Sequence, residues 1–209
     1  RDLTKHLDAP MEEHLAACWK VSNFVQATKD TYRQIQPTTV DPDLEAYCDS
    51  DFSGDPDTRR SVTGFVIFFC GVAIYWRSKA QKLVTLSSSE AEYVALTDCV
   101  QELIFVRNLL SSIQVKYGET IVVHVDNMGA IFIANNFSAT GRTKHIDTRL
   151  HFVRDLVEDG TITIKYVRST DNVADIFTKN VDGATFHRLQ KRFVCEISGE
   201  ALALQTSAP

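Results

Sequence analysis

The chain has 209 residues, of which 44% are hydrophobic, and carries a formal net charge of −5. A hydrophobic fraction of this size can form a buried core, so the composition excludes a disordered chain. The longest apolar run, residues 62–76, is too short and too β-branched for a membrane helix, and five scattered cysteines without paired spacing exclude a disulfide framework and a zinc site. We therefore expect a soluble, intracellular protein.

Apolar residues in the N-terminal part recur every three or four positions, which predicts an amphipathic helix over residues 11–27. Because the chain begins at Arg1 within a helical pattern, we expect it to be excised from a longer polypeptide. Alternating and β-branched segments then predict strands at 44–52, 61–69 and 72–77, with a tight turn between the last two. Their short connections predict antiparallel neighbours.

The second half of the chain alternates between helical and strand patterns. The predicted elements are a long helix over 87–113, a strand at 120–126, helices at 128–135 and 144–158, a strand at 161–167 and a last helix from about 170 to 193. Three antiparallel strands followed by alternating strands and helices indicate an α/β fold with a five-stranded mixed sheet and helices on its faces. Ligands of such folds bind beyond the carboxyl ends of the parallel strands.

Four acidic residues lie at the edges of apolar segments, where this fold could bring them together: Asp49, Glu90, Asp126 and Asp175. Each also has a local structural explanation. Glu90 follows Ser87 at capping-box spacing, Asp126 could end a strand, and Asp175 could interact with a helix dipole. Asp49 is harder to explain, because an acid in the middle of an apolar strand is unfavourable without a partner. One metal site explains all four residues together, so we favour it.

Other acids near these positions were weighed against them. Asp51 points the same way as Asp49 and could be an outer-shell group. Glu92 lies about 200° around the helix from Glu90, so both cannot face one site, and we expect Glu92 to be a solvated or packing-edge acid. Asp171 is expected to cap the last helix. Asp147, with His145 and His151, is expected to form structural pairs.

Several segments resemble, in order and spacing, the ribonuclease H domain of copia-type retrotransposon polyproteins. They are YCDSDFSGD, RRSVTGFVIF, SSSEAEYVAL, HVDNMGAI, TKHIDTRLHFVRD and DNVADIFTK, and HLAACWKVSNFVQAT resembles the helix joining reverse transcriptase to that domain. The resemblance implies a ribonuclease H-like fold over residues 44–194, a joining helix and linker over 1–43, and a tail over 195–209. It also implies a cytoplasmic location within virus-like particles.

The resemblance implies that Asp49, Glu90, Asp126 and Asp175 are catalytic metal ligands, that the RNA strand of RNA/DNA hybrids is the substrate, and that a reverse transcriptase domain is a partner. No membrane partner is implied. Carboxylates without cysteine or histidine suit Mg²⁺, and two ions roughly 4 Å apart can activate a water and stabilise the leaving oxygen. Mn²⁺ is an alternative.

Polar residues beside these acids are candidates for substrate contacts: Ser50, Thr85, Ser87 and Asn127. They could equally be turn and cap residues. Basic residues near turns could follow the nucleic-acid backbone or simply be solvated: Arg59, Arg60, Lys79, Lys82, Arg142 and Lys144. The acidic net charge is unfavourable for nucleic-acid binding, but bound cations would reverse the charge locally.

Two other functions are compatible with the pattern. One is a catalytically silent domain that binds hybrids or supports a reverse transcriptase, although retention of all four acids argues against decay. The other is an integrase or exonuclease of the same fold, but an integrase supplies its glutamate last, whereas the order here is Asp, Glu, Asp, Asp.

Overall fold

The computed structural model describes residues 2–29, 37–39, 42–55, 58–118, 120–136 and 144–193, without the side chains of residues 2 and 144–150. They fall into two compact units, one formed by the chain up to residue 35 and from residue 193 onward, the other by residues 36–192. The tail predicted at 195–209, Arg142 and the side chains of Lys144, His145 and Asp147 lie outside the described residues.

The first unit contains a 3-10 turn, Asp2–His6, and helix α1, Glu12–Ala27, which confirms the helix predicted at 11–27. The backbone N–H of Met11 donates to Nδ1 of His14 (3.0 Å) at the start of the helix. The apolar side chains of α1 remain exposed, with 61% of Trp19 accessible to solvent. Among the described residues, no helix combines the length and hydropathy needed to cross a bilayer.

The second unit is built on a five-stranded mixed sheet. Its strands are β1 (Leu44–Asp51), β2 (Val62–Phe69), β3 (Val72–Ala80), β4 (Ile121–Val125) and β5 (Ile162–Tyr166). Their spatial order is β3-β2-β1-β4-β5, with β1–β2 and β2–β3 antiparallel and β1–β4 and β4–β5 parallel. This arrangement confirms the predicted mixed sheet and its ribonuclease H-like fold.

The turn between β2 and β3 lies at the predicted position. Cys70 and Gly71 both have positive φ, 50° and 75°, which suits a two-residue hairpin connection. Strand β3 extends three residues beyond the predicted end at residue 77. It continues to pair with β2 up to Val62 and Ala80, so the sheet edge is longer than the apolar pattern indicated.

Helix α2, Ser88–Ser112, packs lengthwise against one face of the sheet. Its fully buried Leu96, Cys99 and Leu103 share a core with Cys48 and Phe65 of the central strands. Helices α3 (Met128–Asn135) and α4 (Lys144–Glu158) match their predicted ranges. The buried apolar area of this core stabilises the unit and fixes α2 relative to β1.

The single helix predicted from about 170 to 193 is wrong. The structure has a 3-10 turn at Ser169–Asp171, a four-residue helix α5 at Asp175–Thr178 and helix α6 at Gly183–Gln190. Asp171, expected to cap the predicted helix, is the last residue of the 3-10 turn. Asp182 instead caps α6, because its carboxylate accepts the backbone N–H of Thr185 (3.0 Å).

Candidate active site

Asp49 is buried in the central strand β1, with 1% of its surface exposed. Successive residues of a strand face opposite sides of the sheet, so Asp49 lies on the face away from its core neighbour Cys48. On that face the hydroxyl of Thr178 donates a short hydrogen bond to Oδ2 of Asp49. The unfavourable buried acid noted in the sequence therefore has specific partners.

Glu92, and not Glu90, lies beside Asp49. Glu92 is 6% exposed, and its Oε1 accepts the backbone N–H of Ser50 (3.2 Å). Parallel pairing of β1 with β4 ends at Tyr47 and His124, so Ser50 lies beyond the residues of β1 that pair with β4, and its N–H can bond a side chain. The expectation that Glu92 is a solvated or packing-edge acid is wrong.

Glu90 occupies the first turn of α2 and takes part in its cap. Its Oε2 accepts the backbone N–H of Leu86 (2.7 Å), while its own N–H donates to Oγ of Ser87 (3.2 Å). Ser87 is therefore the N-cap of α2, and the Glu90 carboxylate bonds the N–H of the residue before it, one position earlier than in the capping box that the spacing allows. The structure thus places Glu90 in a local cap and leaves it outside the carboxylate group formed around Asp49.

Asp126 directly follows β4 and completes a group of three carboxylates with Asp49 and Glu92. One oxygen from each lies within 4.8 Å of the others, a spacing that could hold a metal ion. Oε2 of Glu92 is buried and has no hydrogen-bond partner in the described part of the chain. Oxygen donors alone, one of them unsatisfied, fit a hard divalent cation such as Mg²⁺ or Mn²⁺.

Asp175 lies in the first turn of α5, close to Asp49. Lys179 joins the two, with its Nζ 2.9 Å from Oδ1 of Asp175 and 3.7 Å from Oδ2 of Asp49. Charges on Asp126 also influence Asp175, which places this fourth acid at the edge of the same site. Of the four acids singled out in the sequence, the structure therefore brings Asp49, Asp126 and Asp175 together.

Two residues hold α5 against the sheet. Asn172 is fully buried, and its Nδ2 donates to the carbonyl of Cys48 (2.9 Å) while its Oδ1 accepts the N–H of Ala174 (3.1 Å). Gly64 pairs with Asp49 across the sheet and leaves room for α5: a Cβ there would lie 2.5 Å from Cγ2 of Thr178. These contacts set the distance between Asp175 and Asp49.

The metal-free site strongly disfavours further negative charge. Burial, followed by repulsion from Asp49 and Asp126, raises the pKa of Glu92 from its ordinary 4.5 to about 9. Burial likewise raises the pKa of Asp49 to about 6, although the Thr178 hydrogen bond and Lys179 oppose it. Burial also raises the pKa of Asp175. A cation bound among these carboxylates would offset both the cost of burying their charges and the repulsion between them.

Two of the four predicted substrate contacts have the cap roles that the sequence also allowed, and the other two are buried. Thr85 is buried and shares a hydrogen bond with Ser61 (3.0 Å), and Ser50 is buried with its Oγ lacking a partner among the described residues. Ser87 caps α2, and Asn127 caps α3 by accepting the N–H of Ala130 (3.0 Å). Of the four residues, Ser87 and Asn127 are accessible to solvent. Contact of any of the four with a substrate stays a prediction.

The chain is similar to two plant transposon proteins over most of its length. It is 36% identical over 179 residues to the retrovirus-related Pol polyprotein from transposon TNT 1-94 of Nicotiana tabacum, covering 86% of the chain. It is 30% identical over 190 residues to that from transposon RE2 of Arabidopsis thaliana, covering 91% of the chain. The chain is a homologue of plant copia-type Pol polyproteins.

This copia-type homologue spans 13% of the length of each of those two polyproteins. No protein-family model matches its sequence. Among solved structures, it is similar to ribonuclease H1 LC11, isolated from compost by a metagenomic approach, with a TM-score of 0.49 and 15% identity. That similarity covers 66% of this chain and 93% of the other.

One signal in the sequence of the copia-type homologue pointed to Glu92. The apolar stripe of α2 runs through Ala95, Cys99 and Leu103, and one further step of three residues toward the N-terminus reaches Glu92. Glu90 lies about 140° from that stripe. Extending the helical period would therefore have placed Glu92 on the face toward the sheet.

Proposed function

We propose that the chain is a divalent-metal-dependent ribonuclease H, an endonuclease that hydrolyses the RNA strand of RNA/DNA hybrids during retrotransposon reverse transcription. The observation that carries the proposal is the convergence of Asp49, Glu92 and Asp126, with oxygens within 4.8 Å of one another at the carboxyl ends of β1 and β4. Homology to Pol polyproteins and the ribonuclease H motifs of the sequence support the choice of substrate.

When bound, divalent cations would supply an activated water and offset the charge that develops on the phosphoryl oxygens. Asp49, Glu92 and Asp126 would hold them, and Asp175 would complete the site from α5. The burial of these carboxylates excludes bulk water from their inner side. Asp126 is the most exposed of the three, so we expect a phosphodiester to reach the group from its side.

Recognition of the hybrid would come from residues that surround the carboxylates. Ser87 and Asn127 cap two helices next to the site and could donate or accept hydrogen bonds from sugar hydroxyls. Lys79 and Lys82 are exposed near the end of β3 and could contact phosphates. A reverse transcriptase domain of the same polyprotein is the partner we propose, and virus-like particles in the cytoplasm the location.

The test is cleavage of an RNA-labelled RNA/DNA duplex at low salt, with and without Mg²⁺. Matched RNA/RNA and DNA/DNA duplexes and Asp126→Asn are the controls. We expect Mg²⁺-dependent cutting of the hybrid RNA alone, and its loss in the variant.

An inert chain that still binds hybrid would overturn the catalytic proposal. The alternative function, a catalytically silent domain that binds hybrids or supports a reverse transcriptase, would then replace it. Cutting of DNA/DNA would instead point to another nuclease of this fold.

A further inference from the structure

We propose that Lys179 is an internal counter-ion that occupies the Asp49–Asp175 pair in the metal-free protein and competes with the divalent cation for it. The proposal rests on the proposed function only in assuming that these carboxylates bind a cation. It assigns a positioning role to a residue outside the acidic set, four positions after Asp175.

The geometry is that of a bridging cation. Nζ of Lys179 lies 2.9 Å from Oδ1 of Asp175 and 3.7 Å from Oδ2 of Asp49. The side chains of these acids are 11% and 2% exposed, so neither can be neutralised efficiently by solvent. In this arrangement one ammonium group compensates carboxylates from two elements that are 126 residues apart in the chain (175 minus 49).

Lys179 can leave the site without moving the backbone. It caps the C-terminal end of α5 in an extended conformation, and its N–H donates to the carbonyl of Asp175 (3.1 Å). Its side chain is 41% exposed, and four methylene groups allow the ammonium to swing into solvent. The backbone contact would keep Asp175 in place during the exchange.

The charge balance of the site favours replacement of the singly charged Lys179 ammonium by a divalent cation. Four acids converge, and Lys179 offsets part of their repulsion while the metal is absent. A lysine side chain carries a positive charge at neutral pH. A divalent cation must therefore displace the ammonium to use both Asp49 and Asp175.

The experiment is a titration of the full chain with Mn²⁺ without nucleic acid, in which the electron paramagnetic resonance signal of free Mn²⁺ gives the bound fraction. Lys179→Met is compared with wild type, with Lys179→Arg, which keeps the charge, and with Lys116→Met. Lys116 is an exposed lysine that precedes β4, at the end of the strand opposite Asp126. Thermal unfolding is measured in chelator and in saturating Mn²⁺.

We expect Lys179→Met to bind Mn²⁺ at least about threefold more tightly, because a competing charge has been removed. It should unfold at a lower temperature than wild type in chelator and at nearly the same temperature in Mn²⁺. Lys179→Arg and Lys116→Met should bind Mn²⁺ within about twofold of wild type.

Unchanged or weaker Mn²⁺ binding by Lys179→Met would overturn the proposal, as would a loss of stability of equal size with and without Mn²⁺, which indicates a structural role. A wild-type chain that binds no Mn²⁺ overturns it as well. These readouts do not use hybrid cleavage, so a failure of the proposed nuclease activity remains a separate result.

Discussion

Glu90 and Glu92 lie on the same helix, two residues apart, in different surroundings. Glu90 bonds the backbone N–H of Leu86 in the first turn of α2, whereas Glu92 is buried beside Asp49. We expect Glu92→Gln to lower hybrid cleavage at least about 100-fold, more than the loss of an outer-shell group costs. Glu90→Gln should retain cleavage within about threefold, because its main role is a cap.

Initial rates of cleavage at saturating Mg²⁺ test this pair of variants, and each must first show a wild-type circular dichroism spectrum. The two changes are the same substitution, two residues apart on the same helix, so the kind of substitution cannot explain a difference. A larger loss from Glu90→Gln would contradict the placement of Glu92 in the site.

Protonation of Glu92 makes the stability of the metal-free protein depend on pH. Burial raises its pKa from 4.5 to about 9, so between these values the folded state binds more protons than the unfolded state. The free energy of unfolding therefore falls as pH rises. From about pH 5 to about pH 8, wild type should lose at least about 1.4 kcal/mol more than Glu92→Gln, the equivalent of one pKa unit.

Urea unfolding in the presence of chelator measures this difference. Subtracting the curve of Glu92→Gln removes the contribution of other titrating groups. Parallel pH profiles for the two proteins would show that Glu92 is not held in its neutral form by burial.

The sequence identified part of the site because Asp49 is hard to explain on its own and because one metal site explains the acids together. Asp49 interrupts an apolar strand, and Asp126 ends one, so their positions followed from strand topology. The sequence did not indicate Glu92 because the resemblance was assigned to Glu90, which faces another side of the helix, and the apolar stripe was not extended to the first turn. Lys179 gave no sign in the sequence, since its role depends on a contact between α5 and β1.

At the scale of elements, the four-residue helix α5 depends on its contacts with β1 and β2. A Cβ at Gly64 would lie 2.5 Å from Thr178 and 2.9 Å from Cβ of Phe177, so either α5 or the strand must shift. We expect Gly64→Ala to cost about 1–3 kcal/mol, as overpacking of a core does. Because Thr178 bonds Asp49, the same shift should also weaken Mn²⁺ binding.

Chemical denaturation and Mn²⁺ titration measure the two effects of Gly64→Ala. The matched control is Gly160→Ala, where no atom lies within 4 Å of an added Cβ but φ is positive, so strain without a clash is expected. Weaker Mn²⁺ binding in Gly160→Ala as well would show that general destabilisation, and not α5, is responsible.

The division of residues 170–193 into a 3-10 turn and two short helices could not be predicted from the periodicity of the sequence. Residues 170–193 carry enough apolar spacing for one helix, but the buried side chain of Asn172 bonds both Cys48 and Ala174. These bonds compete with helical hydrogen bonds and redirect the chain, and they depend on a strand more than a hundred residues away. The long helix α2 and the strands, whose patterns are local, were placed within a few residues.

For the whole molecule, the division into two units predicts that the sheet unit is autonomous. A chain of residues 36–192 should unfold in one cooperative transition and bind Mn²⁺ within about twofold of the full chain, because the core and all four site acids lie inside it. Differential scanning calorimetry and the Mn²⁺ titration measure this. A broad transition, or loss of Mn²⁺ binding, would show that the N-terminal residues are needed.

Helix α5 lies near the end of the chain, so the site can be completed only late in synthesis. During synthesis, β1, α2 and β4 are complete by residue 125, but Asp175, Thr178 and Lys179 emerge from the ribosome only some fifty residues later. Until then Asp49 has neither its hydrogen bond nor its counter-ion. A chain that ends before residue 175 therefore lacks both the hydroxyl that bonds Asp49 and the ammonium that compensates its charge.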